Sequence, residues 1–263
     1  DIDVWLMQYV GGTLVFNFTR VGSGCGLIGP HAACTIAGNV YWCSNLGFFA
    51  ITGQGVQSIP CTVWDFIFQN LDTTNQHKIC CAPNSTFNEV SWYFPTADGD
   101  GENNAYVKYN LLEGEWDYGY LDRNAWSDVT ALGNTIGTDT VNIFQHEMSN
   151  DANGQPISAW FVSGYWSISE GTDMAFVDWF IPDMKFGTYG STMSASVEVT
   201  FDAVDYLGDT HGTYGPFTFA STTQYLNPRL RGRFMSITIA SNDTGSFWRI
   251  GTCKYRWAPS RRR

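Results

Sequence analysis

Positive charge and long hydrophobic runs are both scarce in this chain. Only 14 of its 263 residues are Lys or Arg, against 25 Asp and Glu, and charged residues make up 15%. No stretch approaches the roughly 20 apolar residues of a membrane-spanning helix, so we expect no membrane span. The first residue is Asp1 and not Met. We therefore expect a fragment or processed product whose upstream part is missing.

Residues typical of catalytic and metal sites are few and scattered. The four histidines are isolated and no Cys-x-x-Cys pair occurs, which argues against zinc. Glycine-rich phosphate loops and G-x-S-x-G elbows are also missing. Residues 98–103 resemble a calcium loop, but the downstream bidentate Glu of an EF-hand is absent, which favours an acidic surface turn. We expect a protein that is not an enzyme, with no catalytic residue, no metal and no cofactor.

Cysteine usage gives no sign of a disulfide framework. The seven cysteines are an odd number, and Cys80 and Cys81 are adjacent. A secreted disulfide-rich domain has an even, spaced set. We expect mostly reduced, buried thiols.

Aromatic residues, at 16% with 11 Trp, are abundant and favour sheets. Short alternating segments between Gly, Asn and Asp turns predict strands. These segments are 39–43, 47–51, 89–94, 105–110, 116–121, 142–147, 157–163, 196–204, 234–240 and 246–254. The last two are expected to pair as a hairpin. One helix is predicted over 62–71, behind Pro60 and with a Thr cap.

A loose repeat indicates the architecture. A polar turn followed by a Trp-bearing strand occurs at 37–42, 88–92 and 153–160, some 45–65 residues apart, which is close to the length of a propeller blade. We expect an all-β fold, a β-propeller built from antiparallel blades, as a single domain over residues 1–263. Part of the propeller or further domains would lie upstream. Residues 229–263 would form a terminal hairpin and basic tail.

A second motif supports the same fold. Ser241, Asp243, Gly245 and Trp248 have the S-x-D-x-G-x-x-W spacing of an Asp-box. In that motif Asp caps a hairpin turn, Gly takes a positive φ and Trp packs between blades. Its meaning is structural and not catalytic. An ordinary Asp/Gly hairpin is the alternative.

Basic residues are concentrated at the end of the chain, because nine of the 14 lie from Arg229 onward. We select a candidate docking patch within them: Arg229, Arg231, Arg233, Arg261, Arg262 and Arg263. Three interpretations are open. The patch docks on an acidic neighbour, which we prefer, or it is a solvated tail, or it faces DNA.

Several motifs occur in a characteristic order along the chain. They are 47–53 with Ile59-Pro60, 88–92 with Phe94-Pro95, 106–110 leading to Trp116, Gly119 and Arg123, 145–147, 180–183, 231–235 and 248–251. This order resembles the β-propeller tail nozzle proteins of short-tailed bacteriophages, of the tubular tail or phage stabilisation type.

The resemblance implies a structural subunit of the virion tail, assembled in the cytoplasm of the bacterial host. Several copies, expected to be six, would form a ring below a portal and adaptor, with tail-fibre proteins as further partners. Such a ring retains the packaged genome and conducts double-stranded DNA at ejection. An acidic lumen would repel the phosphate backbone and let it slide.

Two other classes remain open. The Asp-box and the aromatic content fit a carbohydrate-binding propeller, either a lectin or a sialidase-like enzyme that recognises host glycans. A sialidase needs an arginine triad, and only Arg20 and Arg123 precede residue 229. A capsid or tail-fibre β-sandwich would share the structural role but not the blade repeat.

Overall fold

The structure is a computed structural model that describes residues 2–129, 133–167, 170–188 and 195–260. It is almost entirely β-structure in antiparallel sheets, which confirms the predicted all-β class. The chain forms two compact units, Asp1–Met148 and Ser149–Arg263, here called the N-terminal and C-terminal units. Among the described residues, no helix is long and apolar enough to cross a membrane.

The N-terminal unit begins with a hairpin and continues with three sheets. Its strands are β1 Asp3–Tyr9, β2 Phe16–Ser23, β3 Ala33–Ile36, β4 Asn39–Ser44, β5 Gly47–Thr52, β6 Gly55–Ile59, β7 Cys80–Asn84, β8 Glu89–Phe94, β9 Ala105–Asn110, β10 Trp116–Tyr120, β11 Ala125–Ser127, β12 Ile136–Thr138 and β13 Ile143–Gln145. Helix α1 (Trp64–Asn70) and a 3-10 turn (Gln76–Lys78) lie between β6 and β7.

Each of the three sheets is an antiparallel meander in chain order. Sheet A consists of β3–β6, sheet B of β7–β10 and sheet C of β11–β13. The turns into the second strands of sheets A and B contain Ala37 and Asn88, both at positive φ. Trp42 and Trp92 follow on those second strands, β4 and β8, as the repeat predicted.

The sheets meet through their first strands, because β7 contacts β3 and also β11. These strands begin at residues 33, 80 and 125, so at intervals of 47 and 45 residues. Neighbouring side chains on a strand point to opposite faces. Cys81 packs in the core that includes residues of sheet A, while Cys80 lies beside Trp126 of β11. Both faces of β7 are therefore covered.

Helix α1 closes one side of this core. The prediction over 62–71 is confirmed as a shorter helix, in which Ile67 is fully buried and Phe66 packs against the core cluster. The predicted Thr cap is wrong. Val63 occupies the N-cap position without a side-chain hydrogen bond, so tertiary packing of the apolar face stabilises this short helix.

The described residues of the C-terminal unit form ten further strands: β14 Ala159–Val162, β15 Trp166–Ser167, β16 Ala175–Ile181, β17 Met184–Thr188, β18 Ser196–Val204, β19 Gly212–Ala220, β20 Leu230–Gly232, β21 Phe234–Ser241, β22 Ser246–Ile250 and β23 Lys254–Pro259. The largest sheet has the order β14-β21-β18-β19, with β15 also on β21. A second sheet has the order β20-β16-β23, and β17 pairs with β22.

The chain changes sheets at Gly232. Leu230–Gly232 pairs with β16, and the next strand, β21, pairs with β18. A Cβ at Gly232 would lie 3.0 Å from the Cβ of Ala203 and 3.1 Å from the carbonyl oxygen of Val204. Glycine is therefore needed for the two strands to approach this closely.

One sequence-based prediction is wrong in this unit. The segment 234–240 does not pair with 246–254, since β21 pairs with β14, β15 and β18 while β22 pairs with β17. The third repeat at 153–160 has the predicted turn, with Asn153 at positive φ, and the predicted Trp-bearing strand, β14. Unlike Trp42 and Trp92, its Trp160 is exposed, at the edge of the largest sheet.

Candidate assembly surface

The β1–β2 hairpin has one apolar face and one polar face. Cross-strand partners lie on the same face of an antiparallel pair. Tyr9 pairs with Phe16 and Met7 with Phe18. Trp5 precedes them on the same face and pairs with Arg20, which is the charged residue at the base of this face. The opposite face is more polar and carries the following residues: Leu6, Gln8, Asn17 and Thr19. This alternation is typical of a strand that buries one face.

The apolar face of the hairpin is exposed. Trp5, Met7, Tyr9, Phe16 and Phe18 are each between 45% and 71% exposed. Tyr9 and Phe16 contact each other edge to face at 5.9 Å. Contiguous apolar patches of this kind mark interaction sites on soluble proteins. We define these five residues as the hairpin apolar face.

The base of the hairpin is fixed, which gives the exposed part a defined direction. The amide of Gly26 donates to the carbonyl oxygen of Ile2 at 3.2 Å. A Cβ at Gly22 would lie 2.6 Å from the Sγ of Cys25 and 3.3 Å from a methyl carbon of Val56. At the tip, Gly11 and Gly12 have φ values of 69° and 72°, a conformation that glycine adopts without strain.

Charge is divided unequally between the two units. Residues 1–148 contain 15 Asp and Glu against four Lys and Arg, whereas residues 149–263 contain ten of each. The whole formal charge of −11 therefore belongs to the N-terminal unit. Two copies meeting through their N-terminal units would repel each other, whereas contact between unlike units would not.

An acidic pocket of about 290 Å³ lies in the N-terminal unit. Its carboxylates are Asp100, Glu102, Asp122 and Asp139. Lys78 forms an ion pair with Glu102 at 2.7 Å and also donates to the carbonyl oxygen of Gly101. Lys78 therefore neutralises part of the negative charge of the turn over 98–103. Among the residues described, no group of three or more His, Cys, Asp or Glu could hold a metal ion.

Arg123 is buried, with 7% of its surface exposed, and a cluster of side chains surrounds it. Its Nε donates to the Nε2 of His146 at 2.8 Å, and its Nη1 donates to the carbonyl oxygen of Asp122. The guanidinium lies 4.3 Å from the ring centre of Phe144, and the ring of His146 packs on Trp126. Nε2 of His146 must carry no proton in order to accept this hydrogen bond. Because Trp126 lies on β11 and Phe144 on β13, these contacts connect the two outer strands of sheet C.

The free energy of unfolding is expected to fall as the pH drops from about 6.5 to about 4 because of His146. Burial and the charge of Arg123 lower the pKa of His146 from 6.5 to about 4. Within this window the unfolded chain binds a proton that the folded chain does not, so acid favours unfolding. Urea titrations at a series of pH values measure the slope of the free energy of unfolding against pH.

The variant His146→Gln is the control, since a glutamine oxygen can still accept from Arg123. Burial raises the pKa of Glu147, with a further contribution from Glu89, and this has the opposite effect on stability. Both proteins retain Glu147, so their difference isolates His146. An equal slope in His146→Gln and the parent chain would contradict the assignment.

The predicted Asp-box residues lie together, but in a different arrangement. Gly245 has a φ of 71°, and Trp248 Nε1 donates to the Oγ of Ser241 at 2.8 Å. However, Oδ2 of Asp243 accepts from the amide and hydroxyl of Ser196, at 3.1 and 3.2 Å. Asp243 therefore fixes the start of β18. The residues on either side of the turn belong to different sheets, so the turn is not a hairpin.

The predicted basic patch is described only in part. Arg229 and Arg231 are exposed, whereas Arg233 is half-buried, with its guanidinium 5.2 Å from the ring centre of Tyr206. Arg233 also donates to the carbonyl oxygen of Gly171 at 3.3 Å. The other three predicted residues (Arg261, Arg262 and Arg263) lie outside the described residues. Docking by this patch stays a prediction.

Several residues that carry the phage resemblance contact each other within their units. Trp116 Nε1 donates to the carbonyl oxygen of Pro60 at 2.8 Å, and its ring stacks on Trp92. In the C-terminal unit, the amide of Gly251 donates to the carbonyl oxygen of Asp183. Together with the bond between Arg123 and His146, these contacts give the motif residues a structural role.

No protein-family model matches the chain, and no curated protein matches it as a relative. The hairpin apolar face is a candidate interaction surface that the sequence analysis did not single out. Its signal was present, because alternating apolar residues at 5, 7, 9 and at 16, 18 enclose the pair Gly11-Gly12, which is a hairpin pattern.

Proposed function

We propose that this chain is a structural subunit of a bacteriophage tail, in which sheets A, B and C are consecutive blades of a β-propeller. The contact of β7 with both β3 and β11 carries this proposal. In a propeller, blades of about four antiparallel strands stand around an axis, and the first strands of successive blades lie side by side. The intervals of 47 and 45 residues between these strands fit one blade each.

The charge of the N-terminal unit supports passage of DNA and not its capture. A surface with 15 acidic and four basic residues repels a phosphate backbone. A protein that grips DNA presents clustered Lys and Arg to the phosphates. An acidic ring therefore suits a nozzle that conducts the genome, with homo-oligomeric neighbours and with portal, adaptor and fibre proteins as partners.

The arginine residues argue against the sialidase-like alternative. Arg20 lies beside Asp3 on the hairpin at 3.5 Å, and Arg123 is bound to His146 within sheet C. Neither one is arranged to grip a substrate carboxylate. The guanidinium of Arg123 is already occupied by His146, by the carbonyl oxygen of Asp122 and by the ring of Phe144, which supports a role in holding the fold together.

The ring is tested by light scattering after size exclusion and by negative-stain microscopy of the purified chain. We expect a closed homo-oligomer, with six copies as the expected number, around a channel wide enough for a DNA duplex. Raising the salt concentration should strengthen assembly if acidic units line the channel, because salt screens their mutual repulsion. A stable monomer with specific binding on a glycan array would instead favour the carbohydrate-binding alternative.

A further inference from the structure

We propose that the acidic pocket of the N-terminal unit is a binding site for the guanidinium group of an arginine side chain. The described lining of the pocket consists of three Asn, one Thr and four acidic residues: Asp100, Glu102, Asp122 and Asp139. The inference does not depend on the proposed ring, because it concerns neighbouring side chains within one unit.

Three loops of sheets B and C form the pocket. Asp100 and Glu102 lie between β8 and β9, Asp122 lies between β10 and β11, and Asp139 lies between β12 and β13. Successive strands of a meander run in opposite directions, so the loop after β8 and the loop after β10 leave sheet B at the same end. One end of sheet B and a loop of sheet C therefore direct carboxylates into a shared space.

The charge of the pocket attracts a cation. None of its described lining residues is Lys or Arg. Two cations lie nearby, because Lys78 pairs with Glu102 at 2.7 Å and the charge of Arg123 acts on Asp122 and Asp139. Four carboxylates against two cations leave a net negative charge. A recess lined by one sign of charge focuses its field, and salt screens it less than an open surface.

A buried acceptor in the wall of the pocket lacks a donor. Asn103 is 1% exposed, and its Nδ2 donates to the carbonyl oxygens of Lys78 and Arg123 at 2.9 and 3.1 Å. Its Oδ1 has no hydrogen-bond partner in the part of the chain that the structure describes, although buried polar atoms are almost always paired. Because Nδ2 is already used and Asn103 lines the pocket, Oδ1 is the acceptor that this side chain offers to a bound donor.

The spread of these acceptors favours a guanidinium over a point charge. A metal ion needs ligands that converge on one point, and the described residues contain no group of three or more His, Cys, Asp or Glu that could hold one. A guanidinium is planar and has five N–H donors in a fork, so it can bind carboxylates and an amide oxygen of different loops at once. The volume of about 290 Å³ is small for a ligand site and suits a single side chain.

Two ligands of equal charge test this chemistry. Saturation-transfer NMR, read on the ligand signals, measures the affinity of the protein for N-acetyl-L-argininamide and for N-acetyl-L-lysinamide. We expect the arginine derivative to bind at least about fivefold more tightly, because only its guanidinium fits the spread acceptors. Equal affinities, or no binding of either ligand, would overturn the proposal. Displacement by Ca²⁺ beyond the effect of NaCl at the same ionic strength would assign the pocket to a metal ion and would also overturn it.

Two variants of equal charge locate the binding. Asp122→Asn and Asp98→Asn each remove one negative charge and keep the shape of the side chain. Asp122 lines the pocket, whereas Asp98 lies in the same acidic turn as Asp100 but is not among the lining residues. We expect Asp122→Asn to weaken binding of the arginine derivative about tenfold and Asp98→Asn to weaken it no more than about twofold. Circular dichroism checks that both variants stay folded. Equal losses would mean diffuse attraction and contradict a defined site.

A peptide distinguishes the two sources of the guanidinium group. Residues 258–263 read Ala-Pro-Ser-Arg-Arg-Arg, and a peptide of this sequence with neutral ends presents arginine within a protein segment. If it binds more tightly than three independent copies of the arginine derivative, and Asp122→Asn weakens that binding, the ligand is a protein segment. If it does not bind more tightly, the ligand is a small guanidinium compound. Both results keep the site, and neither bears on the nozzle proposal, which depends on whether a ring forms.

Discussion

Replacing Trp92 with alanine is expected to lower the free energy of unfolding of the N-terminal unit by about 3–5 kcal/mol. Trp92 is fully buried on β8 and contacts both Phe48 of sheet A and Trp116 of sheet B. Its Nε1 donates to the carbonyl oxygen of Ala32 at 3.1 Å. The substitution removes packing between the two sheets and also leaves that carbonyl without this donor. Urea unfolding followed by far-UV circular dichroism measures the loss.

Two further variants identify the cause. Trp92→Phe retains a ring but lacks the indole N–H, and should cost about 1–2 kcal/mol. Ser91→Ala changes the neighbouring residue, whose side chain lies on the opposite face of β8, and should cost about 1 kcal/mol or less. If Trp92→Ala were no more destabilising than Ser91→Ala, the contact between sheets A and B would not hold this unit together.

Replacing Phe201 with alanine is expected to destabilise the C-terminal unit by a similar amount, about 3–5 kcal/mol. Phe201 is 2% exposed on β18, the strand between β19 and β21. Its ring meets Phe180 of β16 edge to face at 4.9 Å, so it joins the two sheets of this unit. The measurement is hydrogen exchange, read on peptides from β18 and β21.

Thr200→Ala is the matched control for Phe201, because it alters the adjacent residue on the other face of the same strand. It should change exchange in these peptides little, since Thr200 is only half-buried. Faster exchange in Phe201→Ala alone would support the packing between the two sheets. Equal exchange in both variants would show that Phe201 does not hold them together.

Much of the strand content could be predicted from the sequence, because strands with one buried face alternate in polarity. Segments 89–94, 105–110 and 196–204 coincide with β8, β9 and β18. All seven cysteines are free in the structure, and Cys25, Cys43, Cys80 and Cys81 are buried, whereas their reduced state stays a prediction. Each of these features depends on residues that are close together in the sequence, so it could be predicted from one sequence.

Pairing between distant strands could not be predicted in the same way. The turn at Gly245 has the expected positive φ, yet β21 and β22 belong to different sheets. A turn residue determines the local direction of the chain but not the partner of the strand that follows. Likewise, the bond between Asp243 and Ser196 joins residues 47 positions apart. No local pattern in the sequence indicates it.

The covered strand β7 has a consequence for how the N-terminal unit unfolds. Repeat proteins whose neighbours share little surface can lose one repeat at a time. Here strand β7 of sheet B contacts both sheet A and sheet C. Unfolding of sheet A would expose the face of β7 that carries Cys81, and unfolding of sheet C would expose the face that carries Cys80. We therefore expect sheets A, B and C to unfold as one cooperative block.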